Sequence, residues 1–282
     1  MRRSVALATL ALSLALPALA ADPAMDGPPK VMVMEWESLK PGSSAAHDKV
    51  AAGFAALAVR MKSRGYWIGL NPISGDGNLA LFLGGYPSFA AAEAAHNAEE
   101  AAVAGSPVLR SEMDRLEKAG AALHTSQKSV WATYQEELSY RAPGPADIGK
   151  ARFMEVIITR VRPGRIPDYV EFLKAANQGR EKANVPARLA VFQVASGAPT
   201  GTFVIFHPMV TLAELDQDFQ KAFVSALGEE NWKKLRLSYA EIVEENTRTV
   251  FAINPKISYP YPAISAADPA FWSPKGKGAP AP

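Results

Sequence analysis

The chain has 282 residues, with 30 lysines and arginines against 28 aspartates and glutamates, four histidines and no cysteine. Without cysteine there is no disulfide, no thiolate nucleophile, no Cys-ligated zinc and no lipidated cysteine at an export signal. Setting aside Arg2 and Arg3 of the leader described next leaves a net charge near zero, so the basic excess that displaces counterions from phosphate is lacking and no nucleic-acid partner is expected.

Arg2 and Arg3 precede an apolar run from Val5 to Leu16, then Pro17 and the small-residue site Ala18-Leu19-Ala20 before Ala21. This three-part pattern predicts a cleavable secretory signal peptide over residues 1–20 and a periplasmic or secreted mature protein. The run is too short for a permanent anchor and no later run reaches spanning length, so a soluble mature chain with no membrane association is expected.

Residues 29–140 read as a first unit. Met32, Met34 and Trp36 alternate along a strand that Pro41-Gly42 ends, and a helix follows with Val50, Phe54, Leu57, Ala58 and Met61 on one stripe. Two strands then make a hairpin around Asn71 to Asn78, Ser88 opens a second helix after Tyr86-Pro87, and a last strand carries Val130-Trp131-Ala132. The linker RAPGPADIGK, residues 141–150, leads to a second unit over 151–259. There Met154, Val156 and Ile158 alternate before Pro163-Gly164, and Ile166, Tyr169, Val170, Leu173 and Ala176 form a helical stripe. A hairpin turns around Ser196 to Gly201, and Thr211 opens a second helical region with Glu214 at capping-box spacing. A further helical piece runs from about Glu229 to Arg248, with Trp232, Leu235, Tyr239 and Ile242 on one side. Residues 260–282 are too rich in proline and glycine for a helix or a central strand, and the last of them are expected to be disordered. Phe271 and Trp272 are an aromatic pair suited to clip this tail back onto the domain.

The two units align with each other. KVMVMEWESLKPG from Lys30 lies over RFMEVIITRVRPG from Arg152, and Phe82 to Pro87 lies over Phe203 to Pro208. Val130-Trp131-Ala132 matches Val250-Phe251-Ala252, and Leu138-Ser139-Tyr140 matches Ile257-Ser258-Tyr259. Each unit has the order strand, helix, strand, strand, helix, strand of a ferredoxin-like (βαββαβ) plait, whose sheet is covered by helices on one face and bare on the other. The fold class predicted is therefore α+β, with two tandem ferredoxin-like repeats packing sheet to sheet so that each hides the other's bare face. At this point the chain resembles the dimeric α/β-barrel superfamily. The strand followed by Lys40-Pro41-Gly42 or Arg162-Pro163-Gly164 and an amphipathic helix resembles its NIPSNAP and antibiotic-biosynthesis-monooxygenase branches. The resemblance implies an obligate dimer fused into one chain, the two repeats packing sheet to sheet as an intrachain dimeric α/β barrel. It also implies a range of roles, from cofactor-free monooxygenases, haem enzymes and isomerases to proteins with no known activity.

If Met32, Met34 and Trp36 face the helices, then Glu35, Glu37 and Glu155 point between the sheets. There a carboxylate is either a general base or is neutralised by Arg152, Arg160 or Arg188. Of the four histidines, His47 and His96 read as surface residues. His207 is the candidate, at the end of a strand where its counterpart is Tyr86, so that the two mark equivalent mouths of the barrel. The candidate catalytic residues are Glu35, Glu155 and His207, and the candidate ligand-binding aromatics are Trp36, Tyr66, Trp67, Tyr86, Trp131 and Tyr134, each of which also serves as ordinary core. No two histidines stand at helical metal-ligand spacing, so no metal site is expected, and no cofactor is expected either, although a haem held by one axial histidine stays open. No phosphate loop, Gly-x-Ser-x-Gly elbow or EF-hand loop occurs; Gly75-Asp76-Gly77 belongs to a hairpin turn.

Two functional readings follow. One is an exported protein that binds a small apolar or aromatic molecule, or a protein partner. The other is a monooxygenase- or isomerase-like enzyme in which one unit keeps the pocket. The sequence names no convergent set of acid, base and nucleophile that decides between them.

Overall fold

A computed structural model describes residues 25–273. The predicted signal peptide and the end of the tail beyond Ser273 lie outside the described residues. Among the described residues, no helix is long and apolar enough to cross a membrane.

The first half runs β1 (Val31–Leu39), α1 (Ser44–Met61), β2 (Trp67–Pro72), β3 (Leu79–Tyr86), α2 (Phe89–Ala104), α3 (Pro107–Ala121) and β4 (His124–Tyr134). After a short α4 (Pro145–Lys150), the second half runs β5 (Phe153–Val161), α5 (Ile166–Lys182), β6 (Ala190–Ser196), β7 (Thr202–Met209), α6 (Phe219–Leu227), α7 (Glu229–Ile242) and β8 (Val243–Ile253). Two further short helices, α8 (Pro262–Ala267) and α9 (Pro269–Trp272), complete the order. Within the halves the strand orders are β4-β1-β3-β2 and β8-β5-β7-β6, antiparallel throughout.

The two sheets do not stack as separate layers. β2 pairs with β8, β4 pairs with β6, and the eight strands close into one barrel. Closure gives the four edge strands hydrogen-bond partners that a simple stack of two sheets leaves unmet. Each seam is strengthened by the chain that follows the fourth strand. Tyr140 bridges to Leu189 and Tyr259 bridges to Trp67, so each half sends its end across the other. Ser139 Oγ accepts from Val191 N at 3.0 Å, and Ser258 Oγ accepts from Gly69 N at 2.9 Å. A Cβ on Gly69 would lie 2.4 Å from the Ile257 side chain, so this crossing requires a residue without one.

Met34, Leu70, Leu81, Ala132, Met154, Val156, Phe192, Val204 and Phe251 fill the barrel, each fully or almost fully buried, and Met32, Trp36 and Ile158 pack against them. The expected orientation is thus inverted. Met32, Met34 and Trp36 face inward, while Glu35, Glu37 and Glu155 lie on the outer surface of the barrel, beneath the helices. Period-two alternation sorts residues onto two faces without saying which is interior. The enclosed lumen has no solvent for a carboxylate, so it takes the apolar set.

Other boundaries differ from expectation. In the first half the second helical region is two helices, with Ser88 capping Ala91 N at 3.1 Å and Ser106, just ahead of Pro107, capping Leu109 N at 3.3 Å. The Thr211–Glu214 capping box forms but opens only a 3-10 turn, Leu212–Asp216. The helix from Glu229 stops at Ile242, because the residues from Val243 onward are paired with β5. The proline-rich tail does hold helices: Pro262 and Pro269 each sit in a first turn, where a missing N–H has no consequence. The expected clip is present. Trp272 is 6% exposed within the barrel cluster, its Nε1 donating to Gly149 O at 2.8 Å, and Arg152 lies over the Phe271 ring at 3.9 Å while pairing with Asp268.

Candidate functional site

Between the outer barrel wall and the helices, each half leaves a cavity. In the first half it measures ≈ 340 Å³ and is lined by outward residues of β1 and β3 and by α1, among them Glu35, Glu37, His47, Phe54, Tyr86 and His124. Glu37 is its polar centre. Its Oε2 lies 2.6 Å from His47 Nε2 and 3.4 Å from His124 Nε2, and its Oε1 accepts from Gln127 Nε2 at 3.0 Å. Burial opposes the charge on Glu37, but the hydrogen bond from His47 and the charges of His124 and His47 outweigh it and hold the carboxyl below its ordinary value. His124 is itself held below the ordinary imidazole value by burial, with Glu37 opposing. Glu35 accepts from Ser129 Oγ at 2.5 Å, and burial raises its carboxyl, with Glu37 adding to the rise. Tyr86 is raised by burial and then by the charges of Glu99 and Glu35.

The second cavity measures ≈ 530 Å³ and lies between β5, β7 and the helices α5, α6 and α7. Here Glu155, 4% exposed, accepts from Arg248 Nε at 2.9 Å and Nη2 at 2.7 Å, and its other oxygen lies 3.3 Å from Nδ1 of the equally buried His207. Burial again opposes the charge, and the bond to His207 followed by the Arg248 guanidinium holds the carboxyl low. Arg180 reaches the same cavity from α5. Its guanidinium donates to Asn177 Oδ1 at 2.5 Å and has no carboxylate within ion-pair distance among the described residues; burial pulls it down to about 10, still protonated at neutral pH. Phe172, Phe223, Trp232 and Tyr239 form the walls. His207 Nε2 and Trp232 Nε1 are buried without a hydrogen-bond partner.

No protein-family model and no curated protein matches this sequence. Solved structures do match. The chain is similar to an anthrone oxidase-like protein over 79% of this chain and 91% of that one, at 15% identity and a TM-score of 0.51. It is also similar to a candidate monooxygenase from Fusobacterium nucleatum subsp. nucleatum (9% identity, 80% and 93% covered, TM-score 0.49) and to a haem-binding protein from Thermus thermophilus (13%, 84% and 96%, 0.44). The chain has the dimeric α/β-barrel fold. At these identities the likeness carries architecture alone.

Placed on this α/β barrel, the sequence candidates separate. Glu155 and His207 come together, as adjacent partners on β5 and β7, whereas Glu35 belongs to the other half's cavity. Tyr66, Trp67 and Tyr86 line the first cavity with it. Trp36 is in the barrel interior, edge-on to Phe251 at 6.2 Å; Tyr134 packs on Phe192 inside; and Trp131 stacks outside on Phe89 at 6.0 Å. The aromatics therefore form no single pocket. His207 does not mark a barrel mouth: β7 continues to Met209, and the register pairs His207 with Glu155 where the first half pairs Gly84 with Val33, so its counterpart is Gly84 and not Tyr86. The carboxylates pair with Arg248, His207, His47 and Ser129, while Arg152, Arg160 and Arg188 pair elsewhere, with Asp268, Glu244 and Asp147.

His96 is exposed as expected, but His47 is 3% exposed, on the same stripe of α1 as Ala51, Ala55 and Ala58. Sequence reasoning also missed His124, Arg180 and Arg248. Helical spacing is blind to the first cluster, because Glu37, His47 and His124 come from β1, α1 and β4. Arg180 was visible only as the polar member of a mixed helix face.

The depressed Glu155 carboxyl contributes stability that is present above its ordinary value of 4.5 and is lost as pH falls through its lower folded value. Glu155→Gln is expected to cost about 2 kcal/mol near neutral pH, the scale of a hydrogen bond to a charged group. It should also make the loss of stability on acidification shallower than in the unaltered protein. Urea unfolding across the acid range checks both; an unchanged acid slope would contradict the assignment.

Proposed function

We propose that this is an exported small-molecule-binding barrel whose working cavity is that of the second half, and that its ligand is an aromatic or apolar molecule carrying an acidic group. Arg180 supports this reading. A guanidinium held among aromatic walls with no carboxylate of its own favours an anion delivered by a ligand. Glu155 does not supply that anion: among the described residues it stands within ion-pair distance of Arg248 and His207 and not of Arg180. Arg236 at the rim adds positive charge, and Phe172, Phe223, Trp232 and Tyr239 supply apolar surface for a ring. The leader pattern of residues 1–20 supports export. The shared strand order of the halves, their reciprocal crossings and the equivalent placing of the two cavities support a tandem duplication in which the copies have diverged.

A second reading rests on His207 Nε2. With Nδ1 set against Glu155 and Nε2 buried without a partner, the imidazole is arranged to take a proton from a bound acidic C–H or O–H, Glu155 stabilising the imidazolium that results. That proton transfer opens cofactor-free oxygenation and isomerisation alike. The same nitrogen would hold the iron of a haem, with Glu155 backing the other ring nitrogen and Arg180 and Arg236 as partners for its acidic groups. Such a group, when bound, would supply redox chemistry at iron.

Titration of the tryptophan fluorescence with 2-naphthoate and with neutral 2-naphthalenemethanol tests the main reading. The acid is expected to bind about tenfold more tightly, and Arg180→Met to abolish that preference. Equal affinity for both compounds would contradict it. Addition of haemin tests the haem variant: a Soret shift that His207→Ala removes supports ligation, and an unshifted spectrum retires it.

A further inference from the structure

We propose that Glu37, His47 and His124 form a binding site for a divalent transition metal in the first half of the barrel. The three residues come from three elements, β1, α1 and the start of β4, and one ligand atom from each lies within 4.8 Å of the other two. Glu37 Oε2 stands 2.6 Å from His47 Nε2, a hydrogen-bond distance, and 3.4 Å from His124 Nε2, so a small widening of the first reaches the roughly 3.0–3.4 Å expected between donors that share an ion at about 2.1 Å. All three side chains are largely withdrawn from water, at 15%, 4% and 10% exposure.

The second observation is the nitrogen that hydrogen bonding leaves over. His124 Nε2 is buried, faces the cluster and makes no hydrogen bond. Glu37 already accepts from His47 on one oxygen and from Gln127 on the other, and each oxygen keeps a further lone pair. A buried imidazole nitrogen with no partner costs free energy that an ion would remove. The opposite nitrogen of His47 also lacks a hydrogen bond, and Asp48 Oδ1 stands 3.9 Å from it, on the side where the ring proton sits once Nε2 is a ligand. The wider lining carries Glu35 and Glu99 and neither lysine nor arginine among the described residues, so the cavity favours a cation, the reverse of its counterpart in the second half.

Two imidazoles and one carboxylate select zinc, iron, cobalt, nickel or copper over magnesium or calcium, which prefer all-oxygen sites. Three protein donors leave at least one coordination position. The cavity that holds the cluster is also lined by Phe54, Tyr66, Phe82 and Tyr86, so a water or a small ligand would have room beside an ion, as in sites that do chemistry and unlike closed structural ones. The inference is independent of the ligand proposed for the other cavity.

The test is titration of the metal-stripped protein with Co²⁺ followed by its visible d–d bands, with competition by Zn²⁺. One equivalent is expected, with bands of four- or five-coordinate intensity. His124→Ala and Glu37→Gln should each weaken binding at least about tenfold, and His96→Ala, at an exposed histidine, should leave it unchanged. X-ray absorption of the zinc form should show two imidazole shells, which keeps the proposal testable if either ligand variant fails to fold. Absence of Co²⁺ bands in the unaltered protein, a coordination shell of oxygens only, or full binding in both ligand variants would overturn it.

Discussion

A four-stranded antiparallel sheet ends in two strands whose outward N–H and C=O groups need partners. In this chain the edges of one half meet the edges of the other, β2 against β8 and β4 against β6, and the sheet closes on itself. Everything else follows from that closure. It creates a lumen that only apolar side chains can fill, and Met34, Met154, Phe192 and Phe251 fill it. It also sends every alternate residue outward, where helices must cover it. The crossings at Tyr140 and Tyr259 make the closure reciprocal, since each half donates a hydrogen-bonded strap to the other.

The outward residues are where chemistry concentrates, for a physical reason. A helix laid on a sheet covers it imperfectly, and polar side chains left beneath it must find partners or adopt a neutral form. In the first half, Glu37 is satisfied by His47 and Gln127 with His124 beside it; in the second, Glu155 is satisfied by Arg248 and His207. Equivalent places on one barrel thus hold an acidic, imidazole-bearing cavity and a basic, aromatic one. Two halves with the same backbone plan carry opposite balances of charge in their cavities: among the described residues, Glu35, Glu37 and Glu99 without lysine or arginine in one, and Arg180, Arg236 and Arg248 with Glu155 in the other.

Much of the fold was legible in the sequence. Strand alternation at Met32 to Trp36 and Met154 to Ile158, the two Pro-Gly stops and the hairpin turns gave the element order, because these signals are local. The inward face was not legible, since alternation is symmetric until the topology is known, and that single ambiguity misplaced Glu35, Glu37 and Glu155. An offset of two residues between the third strands matched His207 with Tyr86 in place of Gly84. Glu155 and His207 were both picked out, on different grounds, but their adjacency is a matter of register. The Glu37–His47–His124 cluster left no local trace, because its members are joined only by pairing of β1 with β4 and packing of α1. Tail helices opened by Pro262 and Pro269 were hidden by composition, which reports proline content and not proline position.

Residue-resolved amide hydrogen exchange tests closure most directly. The seam amides are Ile73, bonded to Val250 O at 2.9 Å, Asn254, bonded to Gly69 O at 2.9 Å, and Gln135, bonded to Val191 O at 2.8 Å. A closed barrel predicts that they exchange as slowly as the amides of β1 and β5, through opening of the whole domain. Fast exchange at the seams with β1 and β5 still protected would mean two separate open sheets, and would contradict the architecture on which both cavities depend.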